Sequence, residues 1–270
     1  MAKESGFQLS GSAPEAYENI WVPAMMGQCA QDLVGCANIK VGNKVLDVAC
    51  GTGVVARIAA KLVGTDGKVT AMDLNKGMLG VARNFAEKQK ITKIEWQQED
   101  ATSMSFDDGS FEVVLCQQGL QFMPDRSAAM SEMSRVLVSG GRLALSVWRA
   151  PSVFSVAFGK TMDTYFGEGT SAPWQAAFSL SDRDELRSLA TNAGLKNAHV
   201  SLDVKIARHP NPEEFVLGGI AGTPLSGEVA SLEVDQRMEL VREILSAMDK
   251  YIDDSGVASS AECHTLTAQK

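Results

Sequence analysis

Short apolar runs alternating with amphipathic stretches fill the middle of the chain. Residues 44–49 (KVLDVA), 68–72 (KVTAM), 93–98 (KIEWQQ), 111–117 (FEVVLCQ) and 142–148 (RLALSVW) read as five strands. Helical patterns lie between most of them. Residues 54–63 form one. Residues 75–89 form a second, with Met78, Leu79, Ala82, Phe85 and Ala86 on one face. Residues 124–138 form a third, which Pro124 can open and Gly140-Gly141 ends. Only the connection from the third strand to the fourth reads as loop. Strands and helices in alternation predict a parallel sheet covered on both faces, with right-handed crossovers.

The flanks are less regular. Residues 1–13 read as a loose tail. Residues 14–39 are helical, with Tyr17, Trp21, Met25, Ala30 and Leu33 recurring on one side, and Pro23 is expected to break them into two helices. After Trp148 the alternation stops, and residues 150–180 read as an insertion of part helix, part loop. A helix over 181–193 follows, with Ser181 as N-cap and Gly194 past its end. A strand over 198–208, an inserted element over 212–229, a helix over 234–251 and a strand over 257–267 complete the pattern. The expected organisation is a helical N-terminal cap at 1–42, a core at 43–149, and the remainder of the same domain at 150–270.

Composition narrows the function. The 270 residues carry a formal charge of −8, which disfavours nucleic acid as a partner. No apolar run approaches the ~18 residues that span a bilayer, so no membrane partner is expected. The five cysteines form no CxxC pair, and the histidines lie far from most of them. A zinc site or a disulfide framework is therefore not expected, and a reduced cytoplasmic setting is.

The densest chemical signal is Asp47-Val48-Ala49-Cys50-Gly51-Thr52-Gly53. A buried strand runs into a glycine turn and then directly into a helix. Gly51, Gly53 and Ala56 satisfy the dinucleotide-binding spacing G-x-G-x-x-G/A. Asp73 closes the second strand 20 residues after Gly53, where a carboxylate can accept ribose hydroxyls. It also suits the N-cap of the helix beside it. To this point a nicotinamide cofactor and S-adenosylmethionine fit equally. Asp47 inside the first strand, Asp100-Ala101 after the third, and Gln117-Gln118-Gly119-Leu120-Gln121-Phe122 after the fourth favour the latter.

With those residues and Arg135–Leu143 (RVLVSGGRL) in order, residues 43–149 resemble the class I S-adenosylmethionine-dependent methyltransferases. The resemblance is to the small-molecule group that includes the ubiquinone/menaquinone C-methyltransferases. It implies an α/β, Rossmann-like, doubly wound sheet of seven strands, mostly parallel with the last antiparallel, plus a helical N-terminal cap and insertions. It implies S-adenosylmethionine as cofactor and no metal. It places Asp47, Ala49, Gly51 and Gly53 around the methionine part, Asp73 and Leu74 on the ribose, and Met78 against the adenine. Asp100 and Ala101 would hold the adenine edge, and Gln117 the methyl end with Gln118.

The acceptor should sit above the carboxyl ends of the strands. Tyr17, Trp21, Met25 and Met26 can form a lid there, or simply pack the cap. Gln118 and Gln121 can orient a polar group, or stand idle as loop amides. Trp148, Phe154 and Phe158 suggest an apolar wall or ordinary core. Cys116 reads as a buried thiol rather than a nucleophile, and no histidine is assigned as a base. The expectation is methyl transfer to a small molecule by in-line displacement, mainly through alignment and desolvation. A homodimer is allowed for. The alternative is a cofactor-binding relative that acts as a regulator or partner without turnover.

Overall fold

The computed structural model describes residues 7–270. The first six residues of the expected tail lie outside the described residues. Helix α1 (Ala13–Ala16) continues into a helical stretch with wide, five-residue hydrogen bonding (Tyr17–Met26) and then α2 (Gly27–Ala37). The core follows as β1 (Lys44–Val48), α3 (Val54–Leu62), β2 (Lys68–Asp73), α4 (Lys76–Lys88), β3 (Ile94–Gln98), β4 (Phe111–Gln117), α5 (Arg126–Val136) and β5 (Leu137–Ala150). The rest is α6 (Val153–Phe166), α7 (Ala172–Gln175), α8 (Arg183–Asn192), β6 (Lys196–His209), α9 (Pro212–Ala221), α10 (Ser226–Ala230), α11 (Val234–Ala247), β7 (Ile252–Asp253) and β8 (Gly256–Gln269).

The sheet runs β3-β2-β1-β4-β5-β8-β6. Strands β1 to β5 pair in parallel, and β8 pairs antiparallel with both β5 and β6. This is the expected seven-stranded path. The eighth strand is the two-residue β7, a short hairpin partner of β8.

Side-chain alternation divides the core. Leu46, Val48, Val114 and Leu145 point toward α5 and α8, where they meet Met130, Met133 and Leu186. Val45, Val113, Leu115 and Ala144 point the other way, onto Leu33, Ala56 and Ala59 of α2 and α3. A separate cluster above the sheet joins the cap to the insertions: Trp21 packs against Phe154, Trp174 and Phe215 with ring centroids 5.3, 6.3 and 5.5 Å away.

Several local expectations change. Pro23 does not break the cap helix. The N–H of Gly27 reaches the carbonyl of Val22, five residues back. A wider turn of this kind tolerates a residue that has no N–H to give. Residues 7–12 are not a loose tail: Leu9 is buried, and its carbonyl accepts from Asn75 Nδ2 at 2.9 Å. Asp125 and Asp182 cap α5 and α8, displacing Pro124 and Ser181 from those ends, because a carboxylate binds the free N–H groups. Strand β5 starts at Leu137, five residues early, and takes in the glycine pair. The 212–229 insertion is two helices. Among the described residues no helix is long and apolar enough to cross a membrane.

Candidate active site

The parallel strands reverse their order between β1 and β4, and a cavity of about 540 Å³ opens above their carboxyl ends. Open α/β sheets bind ligands at this switch point. One end of the cavity is the glycine turn after β1. Gly53 caps α3 in the left-handed region (φ +80°) and has no side chain to cap with. Asp47 supplies the missing acceptor from below: its Oδ2 accepts the N–H of Ala56, in the first turn of α3, at 2.9 Å. The other oxygen, Oδ1, is buried without a partner. Burial pushes the Asp47 carboxyl up to about 8, against the pull of the Ala56 N–H.

Asp73 ties the next strand to the same turn. Its Oδ2 accepts from the Gly51 N–H and its Oδ1 from the Asn75 N–H, both at 2.8 Å. The N-cap of α4 is Asn75, whose Oδ1 accepts from Met78 N at 3.0 Å, so Asp73 is free of that duty. Burial raises the Asp73 carboxyl above its usual range, and the two N–H groups oppose the rise. On the neighbouring strand, Asp100 Oδ1 accepts from Thr102 N and Oγ1, which fixes the loop after β3.

The turns after β1 and β4 nearly touch. Ala49 (φ +54°) and Gln118 (φ +51°) both sit in a backbone region that side chains rarely adopt. Gly119 lies between them: a Cβ there would fall 2.7 Å from Ala49 Cβ and 3.0 Å from Cys116 Sγ. Gln118 donates its backbone N–H to the Ser146 carbonyl at 2.9 Å, and its Oε1 accepts from Gln121 Nε2 at 3.2 Å. Gln117 Nε2 donates to the Met26 carbonyl at 3.2 Å, which ties β4 to the cap.

Most of the expected residues line this one cavity: Ala49, Gly51, Asp73, Leu74, Met78, Asp100, Ala101 and Gln117, then Tyr17, Trp21, Gln118 and Trp148. Three do not. Asp47 sits beneath the turn, because strand alternation turns it toward α3 with Val45. Gly53 lies against Trp96, whose ring a Cβ would meet at 2.5 Å. Gln121 is buried behind Gln118. Phe154 and Phe158 are core, with no exposed surface to speak of. Burial holds the Cys116 thiol at about 12, as befits an inert core residue.

Further walls come from the Gln118–Phe122 loop and the stretch after Trp148, both expected at this rim, and from Phe7, which was not. Phe7 packs on Phe122 with centroids 5.1 Å apart, Trp174 and Phe178 close the far side, and Ser152 and Ser155 add hydroxyls. The aromatic residues scattered through 150–180 were the available signal. Among the described residues no histidine lines the cavity: His209 Nδ1 pairs with the Asn211 carbonyl, and His264 Nε2 with that of Ser181.

Residues 45–141 match the family model described as "Methyltransferase domain". The chain is 34% identical over 182 residues to demethylmenaquinone methyltransferase of Staphylococcus carnosus, covering 60% of this chain and 71% of that protein. It is 34% identical over 158 residues to the ubiquinone/menaquinone biosynthesis C-methyltransferase of Cellvibrio japonicus, covering 58% and 62%. The chain belongs to the class I S-adenosylmethionine-dependent methyltransferases.

Solved structures agree. A putative methyltransferase of Bacillus halodurans superposes with a TM-score of 0.59 at 25% identity, covering 90% of this chain and 99% of that one. Phosphoethanolamine N-methyltransferase 2 of Haemonchus contortus, in complex with S-adenosyl-L-methionine, gives 0.61 at 19% identity, covering 95% and 56%, and shows the shared fold. A methyltransferase of this class uses S-adenosylmethionine, and the cavity fits it. Gly51 leaves open the space next to Met78 that a side chain would enter, and Asp73, Leu74, Met78 and Ala101 line the cavity beside it.

Proposed function

We propose that this methyltransferase methylates a small molecule with a flat apolar face. The observation that carries the reading is the composition of the cavity beyond the cofactor end. Trp21, Trp148, Trp174, Phe122 and Phe178 surround it, and its carboxylates Asp73, Glu99 and Asp100 all come from the ends of β2 and β3. The cofactor end takes Asp73 and Leu74 on the ribose, Met78 and Ala101 on the adenine, Asp100 on the adenine edge, and Ala49, Gly51 and Gln117 around the methionine part. Asp47 holds the turn from below.

S-adenosylmethionine supplies a methyl group already activated by its sulfonium charge. What this chain adds is alignment and exclusion of water. Tyr17 and Trp21 roof the cavity, and the Gln118 amide together with Ser152 and Ser155 can orient a polar substituent. The walls on the acceptor side offer no histidine or carboxylate among the described residues. An acceptor that is itself nucleophilic, such as an electron-rich ring carbon, an amine or a thiolate, matches such walls best. The demethylmenaquinone named for one relative carries such a flat ring, which is nucleophilic at carbon only in its reduced, quinol form.

The test is incubation with methyl-labelled S-adenosylmethionine and a small-metabolite extract, followed by mass spectrometry. A labelled low-mass aromatic product is expected. Label appearing only in macromolecules would overturn the proposal.

A further inference from the structure

An ion pair is buried where the cap meets the cofactor turn. Arg57, in α3, donates from Nη2 to Glu18 Oε1 at 2.5 Å and from Nη1 to the Thr52 carbonyl at 2.5 Å. The two side chains are 5% and 4% exposed, so water does not screen them. Glu18 belongs to the Tyr17–Met26 helical stretch, and Thr52 lies between the two glycines of the turn. One guanidinium therefore grips the cap with one nitrogen and the cofactor turn with the other. Neither Glu18 nor Arg57 lines the cavity, yet the neighbours of both do: Tyr17, Trp21, Met25 and Met26 from the cap, and Gly51 from the turn.

Energetics argue that this pair does more than hold the fold. Removing two charges from water is costly, and an apolar pair of similar size is often as stable or more so. Here the surroundings are also incompletely satisfied: Asp47 Oδ1 is buried without a partner in the same region, and burial raises the Glu18 carboxyl against the pull of Thr52 and Arg57. Such a pair is a poor adhesive and a good locator, since an ion pair with two fixed hydrogen bonds admits one register and apolar contact admits several.

We propose that Glu18 and Arg57 are positioning residues that register the cap helix on the glycine turn, so that the cap closes over the cofactor and cofactor binding in turn orders the cap. The inference rests on the cofactor site described above. Coupling of this kind is reciprocal: whatever the docked cap adds to cofactor affinity, the cofactor returns to cap docking.

The experiment uses S-adenosylhomocysteine as the probe. Amide hydrogen exchange of residues 17–26 is followed in the wild-type protein with and without it, and affinity is measured by calorimetry for the wild type, Glu18→Gln and the apolar double variant Glu18→Leu/Arg57→Met. In the wild type, exchange at 17–26 should slow about tenfold on binding. Glu18→Gln should bind about tenfold more weakly. The double variant should keep the wild-type melting temperature and show the same loss of affinity, a combination that a purely structural role does not produce. Binding by the wild type with no change of exchange at 17–26 would overturn the proposal, whether or not the variants fold. So would affinity within twofold of wild type in either variant. A wild-type protein that fails to bind the probe at all would refute the cofactor site first, and the inference with it.

Discussion

Asp73 Oδ2 accepts the backbone N–H of Gly51 at 2.8 Å, so the carboxylate that ends β2 also fixes the turn that ends β1. The proposed ribose contact and the turn geometry thus share one side chain. Asp73→Ala should weaken S-adenosylhomocysteine binding by ~1–3 kcal/mol, the cost of leaving polar partners unpaired. Calorimetry measures it, and an unchanged affinity removes the ribose assignment.

Gly119→Ala should destabilise the fold. The added methyl would meet Ala49 and Cys116 at distances shorter than van der Waals contact. Overpacking of this kind costs about 1–3 kcal/mol. Urea unfolding should show a lower midpoint with an unchanged slope. A midpoint equal to wild type would mean that the turns after β1 and β4 lie farther apart.

Stability should fall with rising pH on account of Asp47. Its folded-state value, about 8, stands above the ordinary value of 3.8. A raised acid contributes stability that is complete below the unfolded value and is lost as pH climbs through the folded one. Between about pH 4 and about pH 8 the slope from this group is at most ~1.4 kcal/mol per pH unit. Asp47→Asn keeps an acceptor for Ala56 N–H and removes the titration. Its urea midpoint should vary less across this range than that of the wild type, and parallel curves would refute the assignment.

Gln118→Gly separates backbone from side chain. Glycine adopts φ +51° without strain, but the change leaves the buried Gln121 Nε2 unpaired at ~1–3 kcal/mol, so the variant should be no more stable than the wild type. It loses the amide at the acceptor side, and turnover of an identified acceptor should drop about tenfold or more, with cofactor affinity kept. Unchanged turnover would show that the amide serves only Ser146 and Gln121.

The alternation of β1 to β5 with their helices was legible because parallel strands buried on both faces leave continuous apolar runs, and glycine turns punctuate them. The placement of Gly51, Asp73 and Asp100 around one cavity was legible for the same reason: they sit where strands stop. Asp47 was placed in the right turn but on the wrong side of it, since motif spacing does not say which way a strand residue faces until the neighbours of Val45 and Leu46 are known. The acceptor walls were mostly illegible. Phe7, Trp174 and Phe178 reach the cavity from loops and short helices whose paths depend on tertiary packing, and Pro23 read as a break because only a wide helical turn can absorb it.

One feature of the sheet bears on how the chain is made. β8, the latest of the eight strands to be synthesised, fills an interior place between β5 and β6. Until residues 256–269 leave the ribosome, β5 has an open edge and β6 has no partner at all. Through that interval the nascent chain presents two long, unpaired strands, with Leu202, Val204 and Ile206 on one of them still exposed in the finished fold. Arrest or truncation before residue 256 should therefore yield aggregate. The quality of the protein obtained is governed by how soon residues 256–269 follow β6 out of the ribosome.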